Sequence, residues 1–254
     1  MSREIKDAIT FDHVSFQYGQ ESEPRPILEK LSFSIPKGEF VSIVGASGSG
    51  KSTIFRLIVG LEQPDEGEIY LNERVERCRL GKVGYMPQQD LLMPWRTIRQ
   101  NAQLDPEIKG ILNNEHIQTL LKEFGLEGYE DKYPHELSGG MRQRVSFLRA
   151  SLSGSDILLL DEPFSALDAM TKLYMQEWLL DQWEKQQSTI LFITHDISEA
   201  LFLSDRILIV QETPMTSLQT IEVPLERPRM RKDLDKEDVI LLKNNLMEQL
   251  RMRM

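Results

Sequence analysis

The chain has 254 residues, and 30 Lys and Arg against 40 Asp and Glu give it a formal net charge of −10. That length suits one large domain or two small ones, and the acidic balance argues against indiscriminate nucleic-acid binding, which depends on clustered positive charge. Cys78 has no second cysteine to pair with, the first residues hold no apolar signal core, and the longest apolar runs fall far short of the ~20 residues of a membrane helix.

Val14, Phe16 and Tyr18 alternate with polar neighbours, as do Leu31, Phe33 and Ile35, which predicts two strands. Ile9 and Phe11 stand one residue out of the Val14 register, so a bulge is expected near Asp12 and His13. Phe40–Val44 is a continuous apolar run, expected as a strand buried on both faces, and a glycine-rich loop and a helix over Ser52–Val59 follow it. Val83–Met86 predicts a further strand. Ile117, Leu120, Leu121 and Phe124 fall at helical spacing and stop at Gly125. Met141, Val145, Leu148 and Leu152 repeat that spacing after Ser138-Gly139-Gly140. Strand-like Ile157–Leu160 and Thr189–Ile193 frame another helix, and strands alternating with helices imply a parallel sheet. Leu225–Arg231, rich in proline and arginine, reads as a linker. Beyond about Lys236, the spacing of Val239, Leu242, Leu246 and Leu250 predicts a terminal amphipathic helix.

Gly45-Ala46-Ser47-Gly48-Ser49-Gly50-Lys51-Ser52 fits G-x-x-x-x-G-K-[ST]. Glycines let backbone N–H groups wrap a phosphate, the following helix adds its positive end, Lys51 can reach terminal phosphates, and the Ser52 hydroxyl can hold Mg²⁺. The plain alternative is a glycine turn before a helix. At the exit of Ile157–Leu160, Asp161 is placed to hold Mg²⁺ and Glu162 to polarise an attacking water, unless both acids only end a buried strand. His13, His116 and His135 show no metal-ligand spacing.

Leu137-Ser138-Gly139-Gly140-Met141 can cap a helix through Ser138. It also resembles the signature motif of the ATP-binding subunits of ABC transporters, and the resemblance covers about residues 9 to 212. It implies an α/β fold: a P-loop NTPase core with a mainly parallel sheet, an antiparallel β subdomain and an inserted α-helical subdomain. The expected division is an ATP-binding domain over 1–230, with its helical subdomain at about 92–153, and a helical tail over 231–254. ATP and Mg²⁺ are the implied cofactors. The phosphate loop through Thr53 would bind nucleotide, Tyr18 would stack on adenine, and Ser138, Gly139 and Gly140 would meet the ATP held by a second copy. Asp168, in the stretch Ser165–Asp168, would cross to that copy. Gln88 would contact Mg²⁺ and the hydrolytic water, although its neighbour Gln89 fits the same position, and His195 would contact the γ-phosphate. Catalysis is thereby assigned to Glu162, His195, Gln88 and Lys51, and metal binding to Ser52, Gln88 and Asp161.

Leu91–Trp95 and Asp161–Thr171 look like segments of the nitrate/sulfonate/taurine group of bacterial importers, which includes carriers of pyrimidine thiamin precursors. The resemblance implies import of a small polar or anionic solute. Its partners would be a second ATP-binding subunit (a homodimer), membrane permease subunits and, indirectly, an extracytoplasmic solute-binding protein. The chain would sit peripherally on the cytoplasmic face of the membrane and bind no nucleic acid. Leu91–Trp95 is either a groove wall for a permease helix or a satellite of the core. A DNA-repair ATPase would need a long heptad insertion before the signature, which is missing here. A non-transport ATPase acting on a protein scaffold is the second reading.

Overall fold

The computed structural model describes residues 6–19 and 24–251. The chain order is β1 (Asp7–Tyr18), β2 (Arg25–Pro36), β3 (Phe40–Val44), α1 (Lys51–Val59), β4 (Glu66–Leu71), β5 (Arg74–Val75), β6 (Gly84–Met86), α2 (Ile98–Ala102), α3 (Leu104–Lys109), α4 (Asn114–Glu123), α5 (Gly139–Ser151), β7 (Ile157–Asp161), α6 (Ala169–Gln186), β8 (Thr189–Ile193), α7 (Ile197–Leu203), β9 (Arg206–Val210), β10 (Leu218–Glu222) and α8 (Glu237–Arg251). Two compact units divide it. The first comprises 1–81 and 187–254, the second 82–186.

The first unit contains an antiparallel sheet in the order β2-β1-β4-β5. The register of β1 against β2 shifts between Phe11 and Val14, where His13 takes φ 50 and donates its N–H to Ser32 Oγ at 2.9 Å. The bulge expected from the sequence is therefore present, and it lets Ile9, Phe11, Val14 and Phe16 all face inward. The same unit holds β3 parallel to both β8 and β9, with β10 antiparallel to β9. All five residues of β3 and of β8 are buried, as continuous apolar runs in a parallel sheet should be. Val239 and Leu246 of α8 are buried in a cluster with Val44, Ala200, Leu201 and Ile209, and Leu242 and Leu250 pack at its edge. Burying such a side chain contributes ~1.5–3 kcal/mol, so the predicted face of the terminal helix is the one that fixes it.

Residues 225–231 are not the linker their composition suggests. Helix α7 ends without a basic residue in its last turn, leaving carbonyls that need donors. Arg229 donates to the carbonyls of Leu201, Phe202 and Ser204, and Arg227 donates to that of Leu203 at 2.6 Å. Asp205 pairs with Arg227 at 2.9 Å and with Arg229 at 3.6 Å. Burial and the adjacent Arg227 charge pull the Arg229 guanidinium down to about 10, still charged at neutral pH. Two arginines from this stretch thus cap a helix more than twenty residues earlier in the chain.

In the second unit β6 runs parallel to β7. Phe124, Phe147 and Trp178 meet edge-to-face, with centroids 4.6 to 5.7 Å apart, and tie together the end of α4 with α5 and α6. The Trp178 indole N–H donates to Glu123 at 2.8 Å. No helix among the described residues is long and apolar enough to cross a membrane.

Candidate active site

In the first unit, β3 runs into the loop Gly45–Ser52 and α1 starts at Lys51. Gly50 takes φ 93, and a Cβ there would lie 2.5 Å from Ile27 Cγ2, so geometry and space both demand glycine. Lys51 Nζ donates to the carbonyls of Gly45 at 2.9 Å and Ala46 at 2.7 Å, curling the loop around the ammonium. The Ser49 hydroxyl is buried with no hydrogen-bond partner among the described residues. A buried hydroxyl donor beside a buried ammonium, at a helix N-terminus, suits an anion such as a phosphate chain. Ser52 is half-buried and Thr53 buried, both in the first turn of α1.

Tyr18 ends β1 half-buried, with its ring edge-on to Phe16 at 4.8 Å and its hydroxyl accepting from Arg56 of α1 at 3.3 Å. His195 is exposed between the end of β8 and Asp196, whose carboxylate caps α7 by accepting from Ser198 N at 2.8 Å. A cavity of about 630 Å³ brings His195 together with Gly45, Ala46 and Ser47. Met247, Glu248 and Arg251 of α8 line the same cavity, so the terminal helix borders the phosphate loop of its own unit.

The second unit groups Gln88, Glu162, Asp161 and the signature residues. Gln88 Nε2 donates to Glu162 Oε2 at 3.4 Å, which singles out Gln88 over Gln89 as the glutamine beside the carboxylate. Asp161 is buried at the end of β7, and Glu162 takes φ 51, a backbone conformation unusual for a side chain of its size. Ser138 caps α5 by accepting from Met141 N at 3.3 Å, leaving Gly139 exposed at the first turn. Asp168 accepts from Thr171 N at 3.0 Å and Thr171 Oγ1 at 2.6 Å at the start of α6. These bonds hold its carboxyl below the usual carboxylate range, the Thr171 hydroxyl acting most strongly. Taken one unit at a time, the Ser52 hydroxyl of the first and the Asp161 carboxylate and Gln88 amide oxygen of the second are hard oxygen groups, the kind Mg²⁺ prefers.

Residues 28–165 match the ABC transporter family. The formylaminopyrimidine import ATP-binding protein ThiZ of Halalkalibacterium halodurans is 47% identical over 234 residues, 91% of this chain and 89% of the relative. The chain belongs to the ABC transporter family. The aliphatic sulfonates import ATP-binding protein SsuB of Bacillus cereus is 40% identical over 222 residues, 87% of this cassette and 88% of that protein. A dimeric ATP-binding cassette solved in a post-hydrolysis state with ADP and Pi superposes with TM-score 0.77 at 30% identity, covering 86% of this chain and all of that one.

Several residues of the cassette that sequence patterns do not single out shape this site. Three lie on α5. Arg142 pairs with Asp90 at 3.0 Å, and Arg149 donates to the carbonyls of Asp90 and Leu91, both at 2.9 Å. Burial lowers the pKa of Arg149, with Asp90 opposing the shift. Gln143, also on α5, is buried and points at the backbone around Glu162. Their signal was available only as polar positions within an otherwise apolar helical pattern. The satellite-core reading of Leu91–Trp95 does not hold for its largest member. Trp95 is 73% exposed and Leu91 60%, while Met93 is pinned from below by buried Asn101, which accepts from Met93 N at 2.7 Å.

Proposed function

We propose that this cassette hydrolyses ATP to power import of a small polar or anionic solute through a separate membrane permease. The observation that carries the reading is the match to import ATP-binding proteins over about nine-tenths of both chains. The relatives act on a formylaminopyrimidine and on aliphatic sulfonates, both small polar solutes. They favour transport over a scaffold ATPase.

In this reading two copies close on two ATP molecules. Lys51 and the loop Gly45–Thr53 bind the phosphates, Tyr18 stacks on adenine, and Ser138, Gly139 and Gly140 complete the site of the other copy, to which the Asp168 loop also crosses. Ser52, Asp161 and Gln88 would hold Mg²⁺, which would neutralise charge on the phosphate oxygens. Glu162 accepts a proton from the attacking water, whose oxygen bonds to the γ-phosphorus as the bond from that phosphorus to the bridging oxygen breaks, giving ADP and phosphate, while His195 contacts the γ-phosphate. The chain works peripherally, on the cytoplasmic face of the membrane, with an extracytoplasmic binding protein delivering solute to the permease. Exposed Trp95 on a pinned loop is the anchor for a permease helix.

Copurification from membranes tests the reading. A permease recovered in stoichiometric amount, with ATP-dependent uptake after reconstitution, is the expected result, and Trp95→Ala should weaken both while leaving nucleotide binding intact. Recovery of the chain with soluble scaffold proteins and no permease would support the second reading instead.

A further inference from the structure

We propose that Gln143 is a positioning residue that sets the backbone of Glu162. This rests on the reading of Glu162 as the group that accepts the water proton. Glu162 stands at φ 51, in a region that L residues enter only when their surroundings hold them there. The Glu162 carbonyl accepts from three donors: Gln143 Nε2 at 2.9 Å, Ser165 Oγ at 3.0 Å and Ser165 N at 3.2 Å.

Gln143 is 5% exposed, and its amide is used at both ends. Nε2 also reaches Ser165 Oγ at 3.1 Å, and Oε1 accepts from Ala166 N at 2.9 Å. One side chain therefore fastens both ends of the turn 162–166. Glutamine alone suits the position among residues of its length, because glutamate lacks the N–H pair and methionine lacks both partners. The turn also lies hard against the first turn of α5, since a Cβ on Gly140 would sit 3.0 Å from the Ala166 carbonyl. With Gly139 and Gly140 on the same helix, Gln143 makes the signature helix and the Glu162 turn one piece. Burying a fully satisfied amide here specifies a conformation more than it adds apolar contact. The consequence is a carboxylate aimed by a buried residue whose amide is spent on the turn that carries it.

The test is a double-mutant cycle on the full chain, read by nucleotide binding, single-turnover ATP hydrolysis and thermal unfolding. Gln143→Met should lower kcat ~10- to 100-fold, the loss that small misplacements bring, with ATP affinity within about twofold of the parent. In the Glu162→Gln background the same substitution should cause no further loss, because residues acting as a unit are not additive. If Gln143→Met does not yield folded protein, Ser165→Ala removes one donor from the Glu162 carbonyl at an exposed site and should give a smaller loss with the same non-additivity. Parental turnover in Gln143→Met (or in Ser165→Ala, where that variant replaces it), or losses that simply add to that of Glu162→Gln, overturns the inference. Parental turnover in Glu162→Gln itself overturns the underlying reading, and this one with it.

Discussion

The phosphate loop of the first unit and the Glu162 turn of the second are built on opposite principles. The loop holds itself: its bends fall on glycines such as Gly50, and Lys51 bonds to carbonyls only five and six residues back. The turn needs help from outside: Ser165 within it donates twice to the Glu162 carbonyl, but Glu162 has an unfavourable φ and the third donor is Gln143, 19 residues earlier on another element. A self-supporting loop is available to bind whatever the rest of the unit does, whereas an externally held turn responds to whatever moves its support. Under the proposed function this suits a division between binding, which must be dependable, and catalysis, which must be conditional.

The largest expected effect separates the two regions. Glu162→Gln should retain ATP binding while hydrolysis falls ~10²- to 10⁴-fold, whereas Lys51→Ala should lose nucleotide binding itself. Equilibrium binding beside turnover checks this, and equal loss of binding in both variants would erase the distinction.

Distant support also operates within the first unit. Arg229→Ala should destabilise the fold by about 3 kcal/mol, since it strands several buried carbonyls, although Asp205 keeps Arg227. The midpoint of urea unfolding measures it. A change below ~0.5 kcal/mol would restore the linker reading of 225–231.

A smaller effect is expected at Tyr18. Base stacking is worth ~1–3 kcal/mol, so Tyr18→Ala should weaken ATP binding about 5- to 150-fold and Tyr18→Phe hardly at all. The phenylalanine variant also removes the bond from Arg56. Calorimetric titration decides, and parental affinity in both variants would leave Tyr18 as a strand-end packing residue.

The smallest effect concerns Asp168, whose cap on α6 is as local as the phosphate loop. Its carboxyl is lowered in the folded state, so its contribution is complete above the unfolded value near ~4 and fades as pH falls through the lower folded value. Asp168→Asn keeps a capping oxygen without the charge. Its melting temperature should therefore depend less on pH between about 5 and 2 than that of the parent. Superimposable pH profiles would count against this role.

Features written in adjacent residues were legible from the sequence. The phosphate loop, the bulge at His13, the buried runs of β3 and β8 and the apolar face of α8 each rest on side-chain size, glycine freedom or a period of two or 3.6. Ser138 could be read as a cap because its partner lies three residues away. What only the tertiary structure decided is which polar side chains leave their own element to serve another. Arg227 and Arg229 looked like linker residues until the open end of α7 was seen to need them. Gln143 reads in the sequence as one more polar position on a helix, and Leu91–Trp95 fits a groove wall as well as a satellite of the core. The physical reason is that a hydrogen bond's partner is set by proximity in space, and a one-dimensional pattern records period and volume but not which unsatisfied carbonyl lies opposite.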